Sequence, residues 1–434
     1  MKNFPFLTQP DKTALTEAEQ CLHALSALDS NSDLLGRAIA LFPIGPRHAR
    51  MLLTVMQIGC PSDVKEANLL LALAAATVAA LSLDSPFVTD RNAEEGSEKQ
   101  KIEATKLGNG TPVSKLPKKV IAYTNYRHPL SDALSIVRAL RAYEFSSDPE
   151  GFCTVQHMHA RILYEMSKLR KQLIHIYITF SKGGGKVGIS TNSEMNVADV
   201  EVEWKAALGD DNISKKHEQV LRQAICAGWA DRLARKVSVQ DLIRSTDDKG
   251  EQRKHKGTQY QACSTQERVY IHPSSSLRKS APEFVVYNEL ISTSRLYMKM
   301  VTSVDAQWPV MHANALCTFS KPLSDPPPWY DPFSDDIYCW VSPSFGPHLW
   351  QLPLHKFPLK SKKHRVAVFA CALLQGKVCP VLVELCPHLA ADPATLLLPA
   401  SNTQKRVSEL LHLLEVSSID SRYKLKIMWD IQPD

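Results

Sequence analysis

Apolar residues recur at intervals of three and four through the opening of the chain. Leu15, Ala18, Leu22 and Leu25 predict an amphipathic helix over 12–30, broken at Asp29-Ser30-Asn31-Ser32. A second helix begins at Leu34 and ends at Pro43. A third runs from His48 to Met56, with Pro46 near its start, where the missing N–H costs nothing. Residues 62–89 are rich in Ala and Leu. The apolar core of this stretch, Leu69 to Leu83, is fifteen residues long and contains Thr77 and Ser82. That is short for a bilayer and predicts a buried core helix. The pattern then lapses over 91–122, where Glu, Lys, Gly and Asn dominate, and a disordered insertion is expected. Order resumes at His128, with Ser131 or Asp132 placed to cap a helix carrying Leu134, Val137, Leu140 and Tyr143. A longer helix places Ile162, Met166, Leu169, Leu173 and Ile176 on one stripe. Gly183-Gly184-Gly185 and the polar residues up to 214 read as a linker, and a further helix starts near Leu221 and runs through LRQAICAGWADRLARKV.

From about 259 the period changes from helical to alternating. Tyr270-Ile271, Phe284 to Tyr287 and Leu296 to Val301 are β-branched and aromatic runs separated by polar turns. In the first turn, His272-Pro273-Ser274-Ser275, the proline requires an extended approach and the serines favour the reversal. Short strands with such turns suit a small OB-like barrel, a fold that handles single-stranded nucleic acid. Residues 321–336, rich in Pro and Asp, form a rigid connector. Beyond it strands are predicted at Ile337–Val341 and 423–431, and helices at 366–374 and 403–415.

Composition narrows the chemistry more than the fold. A chain of 434 residues with 44% hydrophobic and 22% charged residues supports several packed domains. The net charge of +6 is mild, but residues 214–280 hold 14 Lys/Arg against 7 Asp/Glu, and His355 to Arg365 carries five Lys/Arg and no acid. Concentrated cations suit a polyanion, because neutralising phosphates releases counterions. The ten cysteines include no C-x-x-C pair and no zinc-finger spacing, the pattern of free thiols rather than a disulfide frame or metal site. The N-terminus has no secretory apolar region, and no membrane partner is expected.

The one glycine cluster, Ser181 to Val187, does not fit a phosphate-binding loop, because Val187 follows Lys186 where magnesium needs a hydroxyl. No Asp-Glu-Ala-His quartet is present. No catalytic residue and no bound cofactor is therefore assigned, and the chain by itself is expected not to hydrolyse ATP. His157 and His159 are two apart and fall on different faces of a helix. The positive case is RNA contact. Arg295, Tyr297 and Lys299, two residues apart, share one face of a strand, and His272, Ser274 and Ser275 supply polar groups in the turn. Arg161 and Lys168 on the helix 158–176 offer a second basic lining, with Lys171 a turn beyond. Packing of Tyr297 in the core, and ordinary solvated charge, are the competing readings.

Several of these segments resemble the C-terminal half of DEAH-box RNA helicases. FPFLTQP, ALTEAEQCLHALSALDS and LLGRAIALFPIGPRHARMLL resemble their winged-helix domain, entered partway. ALSLDSPFV resembles the start of their helical ratchet domain, and the IHPSS turn, PEFVVYNEL and TSRLYMKMV resemble their OB-fold. The resemblance implies an α+β multidomain chain: a partial winged helix at 1–56, a ratchet (HA2-type) domain at 57–190, a linker at 191–214, an OB-fold β-barrel at 215–320 and a mixed extension at 321–434. An incomplete winged helix would expose apolar surface near Leu22 and Leu25. In the family two RecA-like motor domains, with ATP and magnesium, precede this region. YMKMVTSVDAQW followed by FSKPLSDPPPWY is most similar to the nucleolar subfamily of small-ribosomal-subunit assembly. That implies a nuclear, nucleolar protein acting on pre-rRNA or a small nucleolar RNA, with an activator protein. The alternatives are a free RNA- or protein-binding module competing with a full helicase, and a helical scaffold without RNA.

Overall fold

Helices α1 (Lys12–Ala24), α2 (Asp33–Leu41) and α3 (Pro46–Ile58) open the chain, with Pro46 in the first turn of α3. The structure is a computed structural model and describes residues 8–28, 33–59, 63–88, 125–182, 195–206, 213–238, 257–293, 295–398 and 405–431. The expected insertion at 91–122 and the Gly183–Gly185 run lie outside them. Two compact units are formed, Met1–Leu316 and Cys317–Asp434.

In the first unit α4 (Val64–Ser82) is the central helix. Asp63 caps it by accepting from the Lys65 amide, and its residues from Leu70 to Leu81 are buried. A helix apolar on all sides needs cover on all sides. It is covered by α3 and by α5 (Asp132–Phe145), α7 (Ala160–Lys182) and α8 (Val197–Ala206), with the short α6 (Pro149–Val155) bridging α5 and α7. Leu25, expected near an apolar surface left open, is instead 1% exposed, while Leu22 is half-buried.

Three sequence expectations change here. The stretch 191–214 contains α8, because Val200 and Trp204 lie one turn apart and both are fully buried. On α7 the buried stripe is Leu163, Met166, Leu173, Ile174 and Tyr177, rotated from the predicted one, whose Ile162, Leu169 and Ile176 are only half-buried. The rotation brings Arg170 wholly inside. Its guanidinium makes paired bonds to Glu144 (3.1 and 2.9 Å) and to Glu201 (2.9 and 2.9 Å). It also lies 4.8 Å from the Trp204 ring centroid, and the Trp204 indole donates to Glu144 at 2.8 Å. The third change is that α9 (Lys215–Gly228) ends at Gly228, and Leu233–Lys236, predicted helical, is strand β1. At Gly228 α3 comes so close that a Cβ would sit 2.7 Å from the Arg47 carbonyl oxygen. Arg47 itself bonds the Gly228 carbonyl (3.1 Å) and Asp231 (2.7 Å), closing the helix end.

Strands β2 (Gln259–Ala262), β3 (Arg268–Ile271), β4 (Phe284–Val286), β5 (Glu289–Ser292), β6 (Leu296–Lys299) and β7 (Thr302–Val304) complete a seven-stranded sheet with β1. Its order is β5-β6-β3-β2-β1-β4-β7, antiparallel except for β3 beside β6. Tyr260, Val269, Leu277, Val285, Met298 and Val301 fill its core. Helix α10 (Trp308–His312) follows.

The second unit packs β8 (Cys317–Phe319), β9 (Trp329–Asp331), β10 (Asp336–Val341), β11 (Pro343–Phe345), β12 (Trp350–Gln351) and β13 (His355–Pro358) as two three-stranded sheets, β13-β10-β9 and β12-β11-β8. Helices α11 (Lys362–Leu374), α12 (Lys405–Val416) and α13 (Arg422–Ile431) share its core with Ile337, Cys339, Val341 and Phe369. The alternation in 423–431 predicts a strand, yet the segment is α13. Asp335, remote in sequence, accepts from the Arg422 and Tyr423 amides at 2.7 and 3.0 Å and so caps a helix. Leu425 and Met428, three apart, then face the core.

Candidate nucleic-acid interface

The alternation of β3 and β6 sorts their side chains. Val269, Ile271 and Met298 point into the barrel, whereas Tyr270 and Tyr297 remain half-exposed on the other face. Because the two strands run parallel with Tyr270 in register with Tyr297, the rings meet, centroids 6.2 Å apart at 53°. Arg295 lays its guanidinium 4.9 Å from the Tyr270 centroid. The His272 ring meets Tyr297 edge-on at 5.7 Å. The result is a continuous strip, Arg295–Tyr270–Tyr297–His272, of one cation and three π surfaces. Lys299 stands on the same face two residues beyond Tyr297, in register with Glu289 of β5.

The turn after β3 holds this strip in place. Ser274 donates its amide to His272 Nδ1 (3.2 Å), and its hydroxyl lies 2.6 Å from the same nitrogen. Ser274 is exposed. Ser275 departs from the expectation of RNA contact. It is 3% exposed, and its hydroxyl donates to Asp132 Oδ2 at 2.7 Å. Asp132 also accepts from the Ser276 amide (2.8 Å), the Ser276 hydroxyl (2.8 Å) and the Val301 amide (2.9 Å). Burial pushes this carboxyl upward in pKa, and the four donors pull against it. Arg127 reinforces the joint by donating to the Ser275 and Ser276 carbonyls at 3.0 and 2.9 Å. Ser131, the N-cap of α5, accepts from the Leu134 amide and bonds the Thr302 hydroxyl at 2.8 Å. One short segment therefore starts a helix and clamps the barrel turn.

Arg161 and Lys168 are exposed on α7, an element that packs on α4, α5, α6 and α8. Arg161 pairs with Glu165 one turn along, at 3.1 Å and with its own side chain 90% exposed, which is solvated-surface behaviour. Lys171 is exposed as well. The structure thus joins His272, Ser274, Arg295 and Tyr297 into one surface, sets Lys299 beside it, spends Ser275 on the fold, and leaves the α7 cations on another element. Tyr270 is the member sequence reasoning missed, although its alternation with Val269 and Ile271 carried the signal. Asp132 had none, since it stands 143 residues from Ser275.

A family model described as an oligonucleotide/oligosaccharide-binding (OB)-fold matches residues 221–316. The ATP-dependent RNA helicase DEAH13 of Arabidopsis thaliana is 39% identical over 442 residues, taking in 100% of this chain and 34% of its own length. The probable ATP-dependent RNA helicase DHX37 of Homo sapiens is 29% identical over 455 residues, covering 99% of this chain and 35% of its own. The pre-mRNA-splicing factor ATP-dependent RNA helicase prp22 of Schizosaccharomyces pombe is 24% identical over 321 residues, covering 74% and 21%. The chain spans about a third of the length of the first two relatives.

Proposed function

The chain belongs to the DEAH-box RNA helicases, matching their C-terminal part with its OB-fold, and from that premise we propose that the strip on β3 and β6 is a contact surface for single-stranded RNA. The observation that carries this reading is the Arg295–Tyr270–Tyr297–His272 strip, its members in contact and partly exposed on a barrel whose other face is its core. Rings with a cation alongside bind bases by stacking, and that attraction is tolerant of sequence because every base has a π face. Ser274 and Lys299 add a hydroxyl and a second cation. Arg161 and Lys168 of α7 offer a separate basic lining, whose phosphate contacts would position RNA without specifying sequence. In this reading the divisions at 1–56, 57–190, 215–320 and 321–434 correspond to winged helix, ratchet, OB-fold and extension. In this reading ATP and magnesium act at the RecA-like motor domains of the family.

The biological setting follows from the same premise. The relatives DEAH13 and DHX37 align with 100% and 99% of the chain, against 74% for the splicing relative prp22. What supports pre-rRNA or a small nucleolar RNA as substrate, a nucleolar location and an activator protein, over a role in splicing, is the resemblance of YMKMVTSVDAQW and FSKPLSDPPPWY to the nucleolar subfamily. Crosslinking and sequencing of RNA bound in cells checks the point: pre-ribosomal reads support it, and spliceosomal RNA as the dominant species refutes it. The surface itself is tested by fluorescence anisotropy with a short oligouridine. Tyr297→Ala is expected to weaken binding by about tenfold, from loss of ~1–3 kcal/mol of stacking, and Arg295→Ala also to lower the salt dependence. Unchanged affinity in both variants refutes the assignment.

A further inference from the structure

A second aromatic face lies in the unit Cys317–Asp434. Tyr338 and Trp340 of β10 alternate with the buried Ile337, Cys339 and Val341, so they stand on the side of the sheet turned from the core. Trp329 of β9, in register with Tyr338, joins them. Its ring centroid lies 5.3 Å from that of Trp340 and 6.1 Å from that of Tyr338, at interplanar angles of 31° and 36°. Lys356 of β13, in register with Trp340, sets its Nζ 3.7 Å from the Tyr338 centroid and 5.8 Å from that of Trp329. All three rings stay partly exposed, whereas Tyr330 and Phe369, which pack the same unit, are buried.

The charge around this face is uneven. Lys360, Lys362 and Lys363 follow β13 directly and are exposed; Lys360 reaches the sheet edge, 5.2 Å from the Phe357 ring. The nearby carboxylates are already committed. Asp331 pairs with Lys356 (3.1 Å), Asp336 with Arg365 (2.7 Å), Asp420 with Arg365 (2.6 Å) and Lys424, and Asp335 caps α13. What remains is three mutually tilted rings with Lys356, shared with Asp331, over Tyr338, and three exposed lysines following the strand. A proline-rich peptide would use the rings but has no need of the cations. Single-stranded RNA uses both, bases on the rings and phosphates on the lysines.

We infer that the Trp329–Tyr338–Trp340 face, with Lys356 and the lysines after β13, is a second stacking platform for single-stranded RNA, independent of the barrel strip. The full chain photocrosslinked to a 5-iodouridine oligonucleotide should give adducts at Trp329 or Trp340 in addition to those on β3 and β6. Trp329→Ala/Trp340→Ala should weaken oligouridine binding about tenfold, the loss of one or two stacked bases. Lys362→Ala/Lys363→Ala should reduce the salt slope by about one to two. Tyr297→Ala should remove the barrel adducts and leave the tryptophan adducts, so the two surfaces fail separately. Adducts confined to residues 268–299, with unchanged affinity in the tryptophan variant, overturn the inference. So does a proline-rich peptide that binds at these tryptophans without displacing RNA. Should circular dichroism show the tryptophan variant unfolded, the adducts on the unaltered chain decide the matter.

Discussion

Replacing Asp132 by Ala removes the acceptor shared by the Ser275 hydroxyl, the Ser276 amide and hydroxyl and the Val301 amide. Each buried donor left without a partner costs about 1–3 kcal/mol, so four set a ceiling of roughly 4–12 kcal/mol. Two effects reduce it. The variant no longer buries a carboxylate, whose desolvation costs several kcal/mol, and water can enter the space vacated. The net expectation is about 3–5 kcal/mol, the range for breaking a buried charged network from one side. Ser275→Ala leaves the carboxylate three donors and should cost only about 1–2 kcal/mol. In the Asp132→Ala background the same serine change should cost less than in the parent, since only its bond from the Leu277 amide at 3.2 Å is left to lose. Hydrogen exchange read residue by residue suits this chain, because a multi-unit protein gives no single unfolding free energy. Protection of the Ser276 and Val301 amides should fall at least about tenfold, and oligouridine affinity should fall with it, although Asp132 is 7% exposed and buried behind the turn. Unchanged protection at those two amides, or additive costs in the double variant, would refute the claim that Asp132 holds the RNA-facing turn.

Other perturbations probe the remaining supports. Arg170→Ala strands Glu144 and Glu201 beside Trp204 and should cost about 3–5 kcal/mol; Arg170→Lys should recover only part, since an ammonium cannot fork onto two carboxylates. Thermal unfolding followed by exchange in α5, α7 and α8 checks both, and a Lys variant as stable as the parent counts against the paired geometry. Burial pushes His128 and His312 down to about 4, with Arg138 and Arg222 adding to the shift at His128 and Arg50 at His312. The unfolded chain therefore binds protons there that the folded chain does not, and stability should fall as pH drops from about 6.5 towards 4, by on the order of 2–3 kcal/mol at His312 and by less at His128, where Glu218 lies 3.3 Å from Nε2 and favours the charged ring. Amide exchange in α5, α9 and α10 at neutral and mildly acid pH measures it, and His128→Gln should flatten the slope; a slope indifferent to that change would sink the assignment. Gly228→Ala drives a methyl into the Arg47 carbonyl and should cost about 1–3 kcal/mol with loosening of the Arg47–Asp231 pair. A neutral effect on the melting temperature would show that α3 and α9 can separate freely.

The amino-acid sequence alone determined whatever depends on neighbours a few residues away. The apolar run of α4, a cap for α5 at Ser131 or Asp132, the proline start of α3 and the alternation that turns Tyr297 and Lys299 to one face were all legible, because periodicity and capping act within a turn or two of chain. Alternation states which side a residue faces; it does not state what stands opposite. Only the tertiary structure could put Tyr270 beside Tyr297 through a parallel pairing, or convert the alternating 423–431 into α13 through a cap from Asp335. Only it could bury Trp204 in a segment that reads as linker. Ser275 shows the physical reason most plainly. Its hydroxyl looks like an RNA ligand until a carboxylate from 143 residues upstream claims it, and a buried acid must find its donors wherever the fold brings them.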